Sequence, residues 1–582
     1  MVKVYEVSYE VCNKVGGIYT VLKSKAKYLV NKYGDNYTTI GPAINKEQIA
    51  YEFEIDEKET QNLPEIGEGI KIMVGRWLIE GSPKTILIDY SSLWAKKNEI
   101  KYGFWDKWKI DSLRAGPDFE DPLLFSYAVA KVIEKIAPSN SIIHLHEWLT
   151  GGALLMLKDK YPTIFTTHAT MLGRVLANYL DNFNLFIKNH LERGETVSDK
   201  FAYDYGIEAK HLMEKASVKN AKVFTTVSDV TNEECKAIHG READVLLYNG
   251  LDVEKYPSIE ELAYHHKQSK HKFFEFLRTL FYPYYHLHIT PQDRVIFISG
   301  RYEFKNKGID LFIDALGKVN EELKKEKESR NIYAFFFIPT SIKGEKRKVV
   351  ENVLLYHFLK TSLRKKIEEK LPYLIEDIFF EENQYDLKHN IHTDMKTIIA
   401  KIKNNKYEEV PLTVFELGYD ESQDLIIQRF KQKGLLNRKE DKIKVIFYPA
   451  YLSPSDRLLN MSYYEAVRGA SIGVFPSLYE PWGYTPVEAI ANGSIAITSS
   501  TTGFAKYLQK NNIPHKGVYI IDREKKSYAE SVKELASVLK KLVLMSKREI
   551  AQEKYLGKEL SYQFGWDKFI TYYFEAHKKA LQ

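Results

Sequence analysis

The 582-residue sequence predicts an α/β fold of two doubly wound, Rossmann-like domains facing a cleft, and three observations carry that prediction. Short, apolar, β-branched runs alternate with helix-length segments, the pattern of βαβ units around parallel strands. The alternation restarts at Arg294 after a long helical stretch, which gives two series. Gly, His, Arg, Lys and Glu stand just past several of the runs, and a doubly wound sheet holds its ligand at the carboxyl ends of its strands.

The first series reads as strands at Val2 to Val7, Thr38 to Ile40, Lys84 to Ile88, Ser141 to Leu145, Thr163 to Thr167, Val223 to Val227 and Val245 to Tyr248. After the first of these, Asn13-Lys14-Val15-Gly16-Gly17 leads into a helix over Ile18 to Val30. Paired glycines there let backbone approach a ligand, or simply pack the turn. Ser258 to Arg278 opens with a capping-box spacing, Ser258 to Glu261, and reads as a connector helix followed by the aromatic segment Leu280 to Tyr285.

The second series comprises Arg294 to Gly300, Tyr333 to Ile338, Lys444 to Phe447, Ile472 to Phe475, Ile495 to Thr498 and Val518 to Ile520. The expected division is an N-terminal domain over 1–285 and a C-terminal domain over 286–560. A helical insertion at about 341–440 carries helical patterns at Val349 to Tyr373 and Asp394 to Lys403, and a final helix within 561–582 returns to the N-terminal domain.

Apolar residues make up 44% of the chain, enough for large cores. Lysine plus arginine number 84 against 78 acidic residues, so the net charge of +6 does not leave a nucleic-acid footprint. Cys12 and Cys235 are the only cysteines and provide no disulfide framework. With no leader-like start and no apolar run of membrane-spanning length, the expectation is a cytoplasmic protein without a membrane partner.

The densest chemistry lies in Phe475 to Glu488. A strand, a loop marked by Pro476, Pro481 and Gly483, and the helix start Thr485-Pro486-Val487-Glu488 form an anion cradle suited to a diphosphate. Glu488 reads either as the capping partner of Thr485 or as a ligand contact. Glu480 has no capping role and reads as a site carboxylate or a solvated loop residue. Arg301 and Lys307 share one βα loop and could neutralise a diphosphate leaving group. His168 ends the strand Thr163 to Thr167 and could bond a sugar hydroxyl or serve the core, with Arg174 in the loop after it. His144 and His146 share a strand face, but no zinc-type third ligand stands near them in the sequence, so a metal pair is not expected.

Together these motifs resemble the glycogen synthases of the animal and fungal type, retaining glycosyltransferases of family three with a GT-B fold. The resemblance rests on Glu6 to Tyr19, Gly34 to Tyr37, His144 to Trp148, Thr166 to Arg174, Val223 to Ser228, Gly300 to Gly308 and Phe475 to Glu488, in order. It implies transfer of glucose from UDP-glucose to the non-reducing end of glycogen or another α-1,4-glucan, without a cofactor or metal. Carried onto this sequence, it implies that Arg301 and Lys307 hold the diphosphate, Tyr463 stacks on the base, His168 and Glu480 contact the glucose, and Glu488 binds the ribose. Lys14, Gly16, Gly17, Arg174, Trp482, Gly483, Tyr484 and Thr485 would complete the nucleotide-sugar pocket. A homotetramer is implied through the insertion. The family's arginine-rich sensor helix has no evident counterpart, so activation by glucose 6-phosphate is not expected. Tyr463 could stack on adenine as well, which leaves ADP-glucose open as donor. A pyridoxal-phosphate glucan phosphorylase and a non-catalytic glucan-binding scaffold are the rival readings.

Overall fold

The structure is a computed structural model that describes residues 2–180, 182–285, 287–326, 330–380, 396 and 409–582. Among them, strands β1 (Val4–Val7), β2 (Tyr37–Pro42), β3 (Phe53–Ile55), β4 (Lys71–Trp77), β5 (Lys84–Asp89), β6 (Ile142–His146), β7 (Thr163–Thr167), β8 (Val223–Thr226) and β9 (Val245–Leu246) form one sheet. Its order is β3-β4-β5-β2-β1-β6-β7-β8-β9. β1 lies between β2 and β6, pairing Val4 with Tyr37 on one side and Ile142 on the other. Helices cover both faces, so all four residues of β1 are buried, including the carboxylate of Glu6.

The edge β3-β4-β5 is antiparallel, a departure from the all-parallel expectation. Sequence periodicity does not mark β3 and β4, which are charged and partly solvated, with β3 at the sheet edge. Gly75 marks where they close together: a Cβ there would meet the Glu54 carbonyl oxygen at 2.0 Å.

The second sheet contains β10 (Arg294–Ser299), β11 (Ile332–Phe337), β14 (Ile443–Tyr448), β15 (Ile472–Phe475), β16 (Ile495–Ser499) and β17 (Val518–Ile521), in the order β14-β11-β10-β15-β16-β17 and parallel throughout. Between β11 and β14, the excursion pairs β12 (Ile342–Glu345) antiparallel with β13 (Phe415–Leu417), and a helix spans Arg347–Phe380. The segment Asp394 to Lys403 lies, apart from Lys396, outside the described residues.

The connector helix runs over Ile259–Tyr285, through the aromatic segment that the sequence reading placed after its end. Packing explains the extension. Phe273, Phe276, Leu277, Leu280 and Phe281 recur at helical spacing and are buried, with Phe273 and Phe276 against Phe335 and Phe281 against Tyr333 of β11. The capping box is made: Glu261 N–H donates to Ser258 Oγ at 3.4 Å, and Ser258 N–H to Glu261 Oε2 at 3.0 Å.

The last helix, Trp566–Leu581, packs on β6 to β9 and on the first helix, Gly17–Tyr33. Trp566 fixes it there: its Nε1 donates to Ser24 Oγ at 2.7 Å, and its ring fills the space a Cβ on Gly250 would need. Among the described residues, no helix is long and apolar enough to cross a membrane.

Candidate functional site

The carboxyl ends of the two sheets meet around a pocket of about 600 Å³. Its walls bring together Gly16 and Gly17 past β1, His168 past β7, Arg174, Arg301 and Lys307 past β10, and Glu480 with Trp482 to Thr485 past β15. Lys14, Tyr463 and Glu488 do not line it. Lys14 is exposed, and its backbone N–H donates to Gln48.

Backbone ties hold the Glu480 loop. Leu478 N–H donates to the Asn306 carbonyl at 2.7 Å, Gly503 N–H to Glu480 at 3.1 Å, and Phe504 N–H to Trp482 at 2.8 Å. Gly308, with φ of 67°, passes so near that a Cβ would lie 2.2 Å from the Pro476 carbonyl oxygen. This close approach seats Lys307 beside Glu480, and the two side chains form an ion pair. Arg301 stays extended, its guanidinium 73% exposed and 2.9 Å from Glu303.

The helix after Glu480 spans Tyr484–Ala491, capped by Gly483 at φ 101° without a side-chain hydrogen bond. The proposed Thr485 cap is therefore not made. The left-handed glycine turns the chain into the helix before Thr485, which places Thr485 inside the first turn. The N–H groups of Gly483, Tyr484 and Thr485 have no intrahelical acceptor, and these residues line the pocket. Glu488, freed from the capping role, turns to Tyr463, whose hydroxyl lies 3.5 Å from it and 3.3 Å from Ser299 Oγ. Burial pushes the Glu488 carboxyl up to about 7, against the opposing Tyr463 and Tyr464 hydroxyls.

The glycine turn before the helix Gly17–Tyr33 holds a carboxylate of the chain itself. Glu10 fills that helix N-terminus, accepting 2.8 Å hydrogen bonds from Gly16 N–H and Tyr19 N–H. A resident carboxylate thus takes the donors that were candidates for a ligand phosphate.

Arg174 lies in the helix Met171–Tyr179, capped by Thr170, and not in a loop. Its guanidinium makes no ion pair among the described residues. Packing opposes its charge, but the Glu147 carboxylate, with Glu214 and Glu234 behind it, raises its pKa. Glu147 holds an unusual backbone, φ 66° and ψ 166°, and accepts the His168 N–H at 2.9 Å.

His168 is oriented by a relay the sequence did not reveal. Glu6 lies 2.8 Å from His146 Nε2, and His146 Nδ1 lies 3.0 Å from His168 Nε2. Burial opposes charge on Glu6, but Lys25 and His146 hold its pKa well below the usual carboxylate value. An ionised Glu6 makes His146 Nε2 the N–H, leaving Nδ1 to accept from His168 Nε2–H. Burial, with His146 alongside, keeps His168 neutral. Its Nδ1 is then a lone pair at the pocket wall, suited to accept a hydroxyl proton. Glu6 also corrects the expectation that His144 and His146 lack a nearby third group, since one ligand atom from each of the three lies within 4.8 Å of the others.

Asn249 Oδ1, Asn306 Oδ1 and Trp482 Nε1 are buried without a hydrogen-bond partner on residues lining the same pocket. Such groups cost about 1–3 kcal/mol each when left unmade, which fits a wall built for a polyhydroxylated ligand. Neither asparagine has a local sequence signal: Asn249 follows a two-residue strand, and Asn306 stands between two lysines.

Comparisons with known proteins show the family and the fold. A family model described as glycogen synthase matches residues 6–582. The chain is 34% identical over 614 aligned residues to glycogen [starch] synthase isoform 2 of Saccharomyces cerevisiae, covering 99% of this chain and 86% of that one. It is 33% identical to the Homo sapiens liver glycogen [starch] synthase, covering 99% and 83%. Among solved structures, the catalytic domain of Arabidopsis thaliana starch synthase IV, bound to ADP and acarbose, superposes with a TM-score of 0.54 at 14% identity, covering 100% of this chain and 99% of that one. The fold is that of a GT-B glycosyltransferase.

Proposed function

This chain belongs to the glycogen synthase family, and on that premise we propose that it elongates an α-1,4-glucan by retaining transfer of glucose from UDP-glucose. Family membership makes it a glycosyltransferase with a nucleotide-sugar donor and a glucan acceptor. The observation that carries the finer reading is the Lys307–Glu480 pair beside the helix N-terminus at Gly483, in a pocket that Arg174 and Arg301 also line.

In this reading Arg174, Arg301, Lys307 and the N–H groups of Gly483 to Thr485 hold the diphosphate. They stabilise the negative charge that builds as the bond between C1 and the phosphate oxygen breaks, with its electron pair leaving on UDP. The acceptor 4-hydroxyl adds to C1 from the same face, and its proton passes to the departing phosphate oxygen. Glu480 carries negative charge beside the electron-poor sugar, and its ion pair with Lys307 holds it in place. His168 Nδ1 and the Asn249 and Asn306 amides accept from sugar hydroxyls. Tyr463 and Glu488 take the nucleoside, base and ribose in turn, and Gly16 and Gly17 shape the sugar side with Glu10. Lys14 is assigned no contact.

Two wider proposals follow from the same family reading. The domains divide at 285/286, with the last helix completing the N-terminal unit. A homotetramer forms through the helix Arg347–Phe380, which leaves Leu354, Phe358, Leu371, Ile375, Ile378 and Phe379 from 48% to 81% exposed. Calorimetric titration with UDP and with ADP tests the donor assignment. Tighter binding of UDP, weakened at least about ten-fold in Lys307→Met by loss of a charge-assisted contact, is expected. Equal, weak binding of both nucleotides that ignores this substitution would overturn it.

A further inference from the structure

Behind the wall that carries Arg174, the helices Met171–Tyr179, Glu208–Asn220 and Asp229–His239 converge on His211, Glu214 and His239. All three side chains are closed to solvent. His211 and Glu214 are three apart on one helix and share a face, and His239 ends the neighbouring helix. One ligand atom from each lies within 4.8 Å of those from the other two.

The protons in this cluster can be placed. His211 Nε2 lies 2.7 Å from Asp199 Oδ1, and Asp199 also takes Lys215 at 2.6 Å. That carboxylate is ionised, so His211 Nε2 is its N–H donor. His239 Nε2 lies 3.0 Å from Glu214 Oε2, which accepts the Met171 N–H at 3.0 Å as well. With Glu214 Oε2 as the acceptor, the ring proton of His239 lies on Nε2. Three atoms remain: His211 Nδ1, His239 Nδ1 and Glu214 Oε1, each buried and without a hydrogen-bond partner.

His211 Nδ1 and Glu214 Oε1 are thus left unused, while His239 turns Nε2 to Glu214 and its Nδ1, on the far side of the ring, points away from that carboxylate. An ion that replaces the His239 Nε2 proton would draw on one atom from each of the three side chains, which lie within 4.8 Å of one another. The Asp199–His211 contact has the form of the carboxylate–histidine pairs that orient imidazole ligands from behind. The other cluster of this type, Glu6 with His144 and His146, already has the Lys25 ammonium on its carboxylate.

We propose that His211, Glu214 and His239 bind one divalent transition-metal ion of the zinc class, a structural ion that pins the three helices behind Arg174. Two imidazole nitrogens and one carboxylate favour zinc, cobalt, nickel or iron over calcium or magnesium. The ion has no part in glucosyl transfer. It acts through Glu214, whose other oxygen holds the Met171 N–H at the start of the Arg174 helix.

The test uses tag-free, full-length protein expressed with added zinc, dialysed against a weak chelator and analysed for metal by mass spectrometry. A parallel titration of the metal-stripped protein with cobalt(II) follows visible absorption. One equivalent of zinc per chain and a saturable cobalt spectrum are expected, both retained in His515→Gln and lost from His211→Gln and His239→Gln, with affinity at least about ten-fold weaker. A parent protein without metal and without a cobalt spectrum would overturn the proposal in favour of a water-filled cluster, and that result needs no variant to fold. Variants that keep the full equivalent would overturn it equally.

Discussion

Glu480→Gln separates the two roles assigned to the Lys307–Glu480 pair, because it removes the charge and keeps the shape. In the parent, the contact is worth about 4 kcal/mol of gross Coulomb attraction for a pair near the surface, most of it offset by desolvation. Losing the carboxylate frees Lys307 to lean fully on the donor diphosphate, so donor binding holds or tightens. The transition state loses negative charge beside the electron-poor sugar. Removing one preorganised electrostatic group of this kind costs about 10²–10³ in kcat, or about 2.7–4 kcal/mol. The expectation is a kcat fall of that size with donor KM within about three-fold of the parent, since the lost interaction is made only in the transition state. Initial rates of glucose incorporation into glycogen across donor concentrations provide both parameters, with thermal melts confirming the fold. A kcat within a few-fold of the parent would refute the role of Glu480, and an unchanged kcat with a raised KM would make it a binding group only.

Other perturbations probe the scaffold. Glu6→Gln leaves Lys25 buried without its partner and is expected to cost about 3–5 kcal/mol, read as a lowered unfolding midpoint. The double variant Glu6→Gln/Lys25→Met recovers part of that loss, and no drop in the single variant contradicts the buried pair. Gly308→Ala forces a Cβ into the Pro476 carbonyl at positive φ and is expected to lose at least about 2 kcal/mol in denaturant unfolding, against none if the loop relaxes freely. Glu488 is raised in the folded protein from 4.5 to about 7, so between those values only the unfolded chain ionises and the carboxyl costs stability as pH rises. Glu488→Gln should therefore gain on the parent between pH 5 and pH 8, by at most roughly 3 kcal/mol, and a pH-independent difference would contradict the burial. Light scattering is expected to return a tetramer mass, and a monomer mass overturns the role given to the Arg347–Phe380 helix.

The strands of both series stand within a residue or two of where apolar, β-branched runs put them, because central parallel strands are buried on both faces and leave an uninterrupted signal. The charged strands β3 and β4, on the antiparallel side of the first sheet, carry little of that signal, and pairing alone makes them strands. In the pocket, the cations and the Glu480 loop were legible because glycine, proline and charge punctuate strand ends. What stayed hidden depends on distance in sequence: Glu6 reaches His168 through His146, a contact across 140 residues followed by one across 22. Local grammar also misled. Thr485-Pro-Val-Glu488 has a capping spacing, yet a left-handed Gly483 starts the helix before the threonine can cap it. The Gly16–Gly17 turn looked open to a ligand, but Glu10 folds back onto it.

Glucose transfer to glycogen, measured from UDP-glucose and ADP-glucose in parallel with the anomeric configuration of the new linkage read by NMR, tests the central claim most directly. Incorporation from UDP-glucose in preference to ADP-glucose, with the new linkage in the α configuration, is expected. Absence of transfer from both donors by folded protein would contradict it.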